Sequence, residues 1–354
     1  MKQKLSQVPE SEVTVSATGL DYHYDTYHAV QGVDLTVRRG EIFSLLGTNG
    51  AGKTTTLELL QGFRRPTGGS IEVFGVDPAR QPGVIRTRTG VVLQESGHFS
   101  DITVAGTLRM WASLSSRRDS VDRVLALVEL THRRDTKVDS LSGGERRRLD
   151  FAMAIWGSPE LVILDEPTTG LDPESRRTLW QIVRELRVQG TTILLTTHYL
   201  EEAEQLSERV AIMHRGRIAV HGTIDEVLAT RPARITVDVR EQDGLLLAAS
   251  APPHVEVTWD EVRRPADPRH RVLTATSDDQ HESLRWLVNT AEAAGLELGP
   301  LRASPASLEE VFHHIRHEPG HDDQAGDDLP GQDRPSENRP SHDDQFVADT
   351  TVRS

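Results

Sequence analysis

Between residues 13 and 47 the apolar positions come in three short bursts, VTVSATGL, AVQGVDLTV and EIFSLLG, the second closed by the turn Arg39-Gly40. Bursts of this length bounded by turn residues predict β-strands rather than helices. The third is apolar at successive positions, as in a strand buried on both faces. A helix is expected from Lys53 to about Gly62, and residues 71–93 turn β-like again in SIEVFGV and GVVLQ. From about Thr103 to Val138 the spacing becomes helical, with Leu108, Trp111 and Leu114 three apart, then Val121, Val124, Leu125 and Val128. LVILDE (161–166) and TTILLTT (191–197) are buried-type strands of a parallel sheet, and residues 173–189 supply the crossover helix between them. Together these predict an α/β core with an inserted helical patch.

The pattern changes near 231–233 (RPA). Beyond it, ARITVDVR, HVEVTWD and RVLTATS predict strands, and amphipathic helices are expected around 281–295 and 305–317, giving a small α+β domain over 232–317. After Glu318 apolar residues nearly vanish; a segment that buries so little cannot offset its chain entropy, so 318–354 is expected to be disordered. Residues 1–12 form an N-terminal extension, and no internal repeat is visible.

Composition sharpens this picture. Of the net charge of −14, half sits in residues 318–354, which hold ten acidic and three basic residues. The mild balance elsewhere argues against a general binder of nucleic acid or anionic membranes. With no cysteine in 354 residues, disulfides, thiolate metal sites and cysteine nucleophiles are excluded, and a cytosolic setting is expected. The opening MKQKLSQVPESEV lacks the apolar core of a secretory signal, and no run approaches the ~20 residues needed to cross a bilayer.

Two stretches have the chemistry of anion sites. GTNGAGKT (47–54) lies between a predicted strand and helix and fits the phosphate-loop pattern. Gly47, Gly50 and Gly52 let backbone N–H groups turn inward; Thr48, Asn49 and Ala51 complete the loop, and Thr55 follows it. Lys53 is expected to reach the outer phosphates of a bound nucleotide and Thr54 to hold Mg²⁺. LSGGERRRLD (141–150) puts Ser142, Gly143 and Gly144 at a helix start, where free N–H groups also attract anions. Arg146, Arg147 and Arg148, which follow, read as a solvated helix face. Asp165 and Glu166 end the strand LVILDE, where one carboxylate suits a contact to Mg²⁺ and the other the polarising of a water. His198, after TTILLTT, reads by itself as structural, Gln94 as a surface residue, and Tyr24 as a core or surface tyrosine whose ring could also stack on adenine. His313, His314, His317 and His321 read as a surface face without the ligands of a closed metal site.

Taken in order, Tyr24, GTNGAGKT, Gln94, LSGGE, LVILDEP, GLD and His198 resemble an ATP-binding-cassette nucleotide-binding domain over residues 13–231. The resemblance implies a parallel-sheet core, an antiparallel β subdomain, and a helical subdomain at about 95–150. It further implies two ATP molecules sandwiched in a dimer. Each would lie between one subunit's Gly47–Thr54 and the other's Ser142, Gly143 and Gly144. By the same resemblance Glu166 activates water, His198 contacts the γ-phosphate, Gln94 touches Mg²⁺ and senses a transporter, and Asp172 lines the dimer interface. TTHYLEEAEQLSERVAIMHRGRIAVHGT and SLEEVFHHI are similar to antibiotic-resistance subunits of the daunorubicin-exporter type. Such subunits work with a separate integral-membrane permease of the ABC-2 class. Thr48 departs from the usual proline, and Ala105-Gly106 from the usual polar residues of the helical patch.

The expected function is therefore an ATPase subunit, most simply a homodimer at the cytoplasmic face of the membrane, powering a permease that exports a drug, antibiotic or lipid-like compound. The alternative is a soluble ATPase of the same superfamily acting on ribosomes or DNA. Such proteins usually carry two cassettes or long coiled coils; this chain has one cassette and no sustained heptads. A nonenzymatic regulator is disfavoured by the intact Lys53, Asp165, Glu166 and His198.

Overall fold

The computed structural model describes residues 12–317 apart from 95, 96, 98, 260–269, 278 and 305. The expected N-terminal extension, save residue 12, and the acidic tail lie outside the described residues.

Alternating buried positions shape the first two strands, β1 (Val13–Tyr24) and β2 (Tyr27–Arg38), into an antiparallel pair. The fully buried β3 (Ile42–Gly47) then leads through the glycine-rich loop into α1 (Lys53–Leu60). β4 (Gly68–Val73) joins β1, closing a three-stranded antiparallel sheet of order β2-β1-β4. Within the β-like stretch 71–93 the structure inserts a helix, α2 (Pro82–Arg88), before β5 (Thr89–Val92). Pro82 at the helix start explains it, because its fixed φ favours the first helical turn.

The helical patch contains α3 (Val104–Leu114), α4 (Val121–Leu127) and α5 (Gly143–Ala154). Thr103 caps α3 through the Gly106 N–H, and Ser142 caps α5 through the Glu145 N–H. The periodic spacing misleads at one place. Leu108 is buried, but Trp111 is 37% and Leu114 76% exposed.

The chain then returns through β6 (Leu161–Asp165), α6 (Pro173–Val188), β7 (Thr192–Thr197), α7 (Leu200–Leu206), β8 (Arg209–His214), β9 (Arg217–Thr223) and α8 (Ile224–Leu228). The main sheet has the order β5-β6-β7-β3-β8-β9 and is parallel except for the β8–β9 hairpin. Alternation along β6 divides the core. Val162 and Leu164 pack with Leu108, Leu125, Phe151 and Leu179 of the helical layer. Leu161 and Ile163 face Leu57, Leu60 and the antiparallel sheet.

Residues beyond 232 form a third sheet from β10 (Ala233–Arg240), with α9 (Glu241–Ala249) following, then β11 (Glu256–Trp259), β12 (His270–Ser277), α10 (Gln280–Ala294) and β13 (Leu301–Ser304). Its order is β11-β12-β10-β13, with a core of its own built on Val237, Val239, Leu273 and Leu287. The last helix, α11 (Leu308–His317), was expected within that domain. It instead places Leu308 and Val311 in a cluster with Leu46, Val210, Ile212 and Val227 of the first. Its His313 and His314 are exposed. Among the described residues no group of three His, Asp or Glu is arranged to hold a metal ion. His321 lies outside the described residues.

The helical layer meets the sheet closely at Gly90, where a Cβ would fall 2.0 Å from the Ala154 carbonyl oxygen at the end of α5. Gly90→Ala is expected to destabilise the protein by about 1–3 kcal/mol, because backbone must move to admit the methyl group. Urea unfolding checks it; an unchanged midpoint would mean that α5 can retreat from the sheet without cost.

Candidate functional site

A parallel sheet opens toward ligands at the carboxyl ends of its strands, and there β3 delivers the glycine-rich loop. Gly52 stands at φ +102°, and a Cβ on it would lie 2.5 Å from the Ala29 carbonyl oxygen, so this position requires glycine. No side chain caps the start of α1, which leaves its first N–H groups for an anion. Lys53 is only 5% exposed, and its Nζ donates to Gly47 O (2.8 Å) and Thr48 O (3.2 Å).

β6 and β7 bring the other charges to the same edge. Asp165 Oδ1 accepts from Thr196 Oγ1 (2.5 Å), and Asp165 Oδ2 accepts from Thr54 Oγ1 (3.4 Å). Glu166 has a left-handed backbone, φ +45°, which costs a non-glycine residue of order 1–3 kcal/mol. Its N–H donates to both the carbonyl and the hydroxyl of Thr196, each at 3.1 Å. Its carboxylate lies between two basic groups, Lys53 Nζ at 3.4 Å and His198 Nδ1 at 3.2 Å, and accepts from Thr169 Oγ1. A nearly buried carboxylate thus faces the loop, with a lysine on one side and an imidazole on the other.

Tyr27, Ala29, Thr48, Asn49, Gly50, Gly52, Lys53, Thr54, Thr55, Gln94 and Glu166 line a cleft of about 320 Å³. Gly47 and Ala51 are buried in the loop, and Asp165 sits behind Thr54. Tyr24 is not among the lining residues. Its hydroxyl is 3.4 Å from Thr55 Oγ1 and donates to Glu58, while the Arg64 guanidinium lies 4.6 Å from its ring centre. Tyr27, which the sequence reading passed over, lines the cleft and donates its hydroxyl to Gly50 O.

Ser142, Gly143, Gly144 and Asp172 do not line this cleft. Ser142 closes a capping box with Glu145: each side chain accepts the other residue's N–H. Burial opposes the Glu145 charge, but the Ser142 N–H and Arg133 prevail and hold the carboxyl below the usual range. A Cβ on Gly144 would fall 2.1 Å from Ser175 Oγ, so the starts of α5 and α6 lie side by side. Asp172 caps α6, accepting from the Glu174 and Ser175 N–H groups. Ser142, Gly143 and Asp172 are exposed.

The arginine run after the turn corrects the expected solvated face. Arg146 is exposed, but Arg148 is largely covered and donates to the Glu129 carbonyl. Arg147 is buried. Its guanidinium donates to Leu93 O (2.5 Å), Pro167 O (2.8 Å), and Asp165 O and Glu166 O (3.2 Å each). Its neighbours at helical spacing, three before, three after and four after it, are Gly144, Asp150 and Phe151, all buried in the fold. A second residue missed is Glu202, wholly buried and accepting from Trp180 Nε1 (3.1 Å). Burial pushes its carboxyl up, against the Thr197 and Thr168 hydroxyls beside it.

Residues 30–169 match the family described as ABC transporter. The chain is 37% identical over 311 residues to the daunorubicin resistance ATP-binding protein DrrA3 of Streptomyces coeruleorubidus, covering 86% of this chain and 96% of that protein. It is 37% identical over 256 residues to the Nod factor export ATP-binding protein I of Paraburkholderia xenovorans strain LB400, covering 71% and 84%. Among solved structures it is similar to an ATP-binding subunit of an ABC transporter (TM-score 0.56, 28% identity, 61% of this chain and 92% of that one). It is also similar to cbiO1 from Clostridium perfringens, part of the cbiONQ transporter complex (TM-score 0.57, 27% identity, 62% and 91%).

Thr196 serves both carboxylate residues, so Thr196→Val tests the strand end. The loss of one hydroxyl leaves Asp165 Oδ1 and the Glu166 N–H each short of a bond. A cost of about 1–3 kcal/mol in urea unfolding is expected, together with slower ATP hydrolysis; wild-type values of both would remove Thr196 from the site.

Proposed function

The chain belongs to the ATP-binding subunits of ABC transporters and is an ATPase of that family, and from that premise we propose that it works as a homodimer that powers a separate ABC-2-type permease. The cargo is a drug, an antibiotic or a lipid-like compound, and the subunit sits peripherally at the cytoplasmic face of the membrane. Among the described residues no helix is long and apolar enough to cross a membrane, so the path for a cargo falls to the permease. The names of the relatives, daunorubicin resistance and Nod factor export, support export as the direction.

One observation carries the shared-site reading: Ser142 and Gly143 form an exposed, well-capped helix start that does not line the chain's own cleft. In the dimer it meets the γ-phosphate held on the partner's loop, and Asp172, exposed beside it at the start of α6, lines the interface. In the cleft Lys53 leaves its loop carbonyls for phosphate oxygens. Glu166 orients the attacking water and takes its proton, and His198 steadies the Glu166 carboxylate and reaches the γ-phosphate. Tyr27, which lines the cleft, offers its ring to the adenine, with Tyr24 close by at Thr55. Thr54, Asp165 and Gln94 offer hard oxygen donors suited to Mg²⁺, which when bound neutralises charge on the phosphates.

The permease reading draws on a second cleft. Phe63, Ile85, Val91, Trp111, Leu114 and Arg117 line a groove of about 380 Å³ between the sheet and the helical patch. Phe63, Leu93, Phe99 and Leu114 are each more than half exposed, and Leu93 adjoins Gln94. Phe63 and Leu114 put exposed apolar surface on that groove, the kind of surface that serves as an interaction site. A permease segment seated there would press on the strand end that carries Gln94.

Glu166→Gln keeps the shape of the carboxylate but not its basicity. It is expected to bind ATP, to hydrolyse it roughly a hundredfold more slowly, and to accumulate as an ATP-dependent dimer on gel filtration. A variant with normal turnover, or one that stays monomeric with ATP, would refute the shared site. The groove is tested with a Trp111→Glu, Leu114→Glu double variant, which should lose membrane sedimentation while the isolated subunit keeps its ATPase rate. Sedimentation as in wild type would place the permease elsewhere.

A further inference from the structure

We propose that Arg147 is a positioning residue that yokes the Ser142–Gly144 turn to the Glu166 strand end of the same protomer. In that way a protomer's grip on its partner's nucleotide re-aims its own base, and the two ATP sites hydrolyse cooperatively. The inference rests on the shared-site reading above and adds the physical link between the sites.

Arg147 lies on the second turn of α5, in the helix whose start is Ser142. The capping box and the close approach of Gly144 to Ser175 fix that start, so a push on the turn moves the helix rather than fraying it. The guanidinium then bridges from α5 to the ends of two strands. One is the β5 end, through Leu93 O just before Gln94; the other is the β6 end, through Asp165 O, Glu166 O and Pro167 O. It is 8% exposed, and its nearest carboxylate, Asp150, stands 3.6 Å away on the same helix. Buried donors do not give up their acceptors one at a time without cost. The planar fork therefore resists any motion of α5 that leaves the strand ends behind.

What it holds is the peptide that sets the base. Glu166 has a left-handed φ, its N–H is pinned by Thr196, and its carbonyl is pinned by Arg147. A rotation of that short segment redirects the carboxylate relative to Lys53 and His198, which flank it at 3.4 and 3.2 Å. The turn that reads one nucleotide and the base that activates water toward the other thus share one rigid connection.

The test is the ATP dependence of hydrolysis by the full-length protein. Wild type should give a sigmoidal curve. Arg147→Met should bind the wild-type number of ATP molecules per chain by equilibrium dialysis, yet show a Hill coefficient near one and a kcat reduced at least tenfold. A purely structural role would lower bound ATP and kcat in proportion and leave the Hill coefficient alone, and that outcome would overturn the proposal. Should Arg147→Met fail to bind ATP, Arg147→Lys provides the reading. Lysine keeps the charge but cannot span both strand ends, so its cooperativity should also fall, and wild-type cooperativity in it is disproof. A wild-type Hill coefficient of one is equally fatal. If Glu166→Gln forms its dimer while Arg147 variants stay cooperative, this inference fails and the shared site stands.

Discussion

A sheet dry on both faces can present polar chemistry only where its strands end. β3, β6 and β7 are buried at every position, with helices over one face and a second sheet over the other. The phosphate loop, the Asp165-Glu166 pair and His198 all lie at the carboxyl ends of these three strands, as burial requires. The constraint has a cost, because β6 must leave the sheet at once and Glu166 adopts a left-handed backbone to do so. Thr196 from the neighbouring strand and Arg147 from the helical layer hold the strained segment by hydrogen bonds. The geometry of the Glu166 segment therefore depends on contacts from outside β6.

This explains which features could be read in the sequence. Apolar runs, glycines and their flanking turns report burial and backbone shape, and these fix β3, β6, β7 and the loop between β3 and α1. A single periodic stretch says which face of a helix is apolar, but not what will cover it. Trp111 and Leu114 share the spacing of Leu108, and the neighbouring helices cover only Leu108. The same limit hid Arg147 and Glu202. Charged side chains default to solvent in any reading of one sequence, and only tertiary neighbours reveal an arginine surrounded by strand-end carbonyls or a glutamate under a tryptophan N–H. Helix α11 misled for a related reason. Its apolar face is plain, but Leu308 and Val311 reach back to residues as distant in the chain as Val210 and Leu46.

Electrostatics gives an independent reason for a partner at the cleft. Among the described residues that line it, Lys53 is the one cation, and Glu166 is there with it. Asp165 stands just behind, 3.4 Å from the Thr54 hydroxyl. A polyphosphate entering this space meets one lysine, the open start of α1, and two carboxylates whose charge opposes its own. A divalent cation offsets part of that opposition, since the carboxylates suit a metal better than a phosphate. The outermost phosphate still gathers negative charge as its bond to the rest of the nucleotide breaks, and the Glu166 carboxylate, an acceptor, cannot donate to it. Further N–H donors must come from a surface with no carboxylate aimed at the phosphate. The Ser142–Gly143 start of α5 is such a surface, because the Glu145 carboxylate beside it is already occupied by the Ser142 N–H and Arg133. Within one chain that start does not line the cleft, which supports the proposal that a second polypeptide brings it.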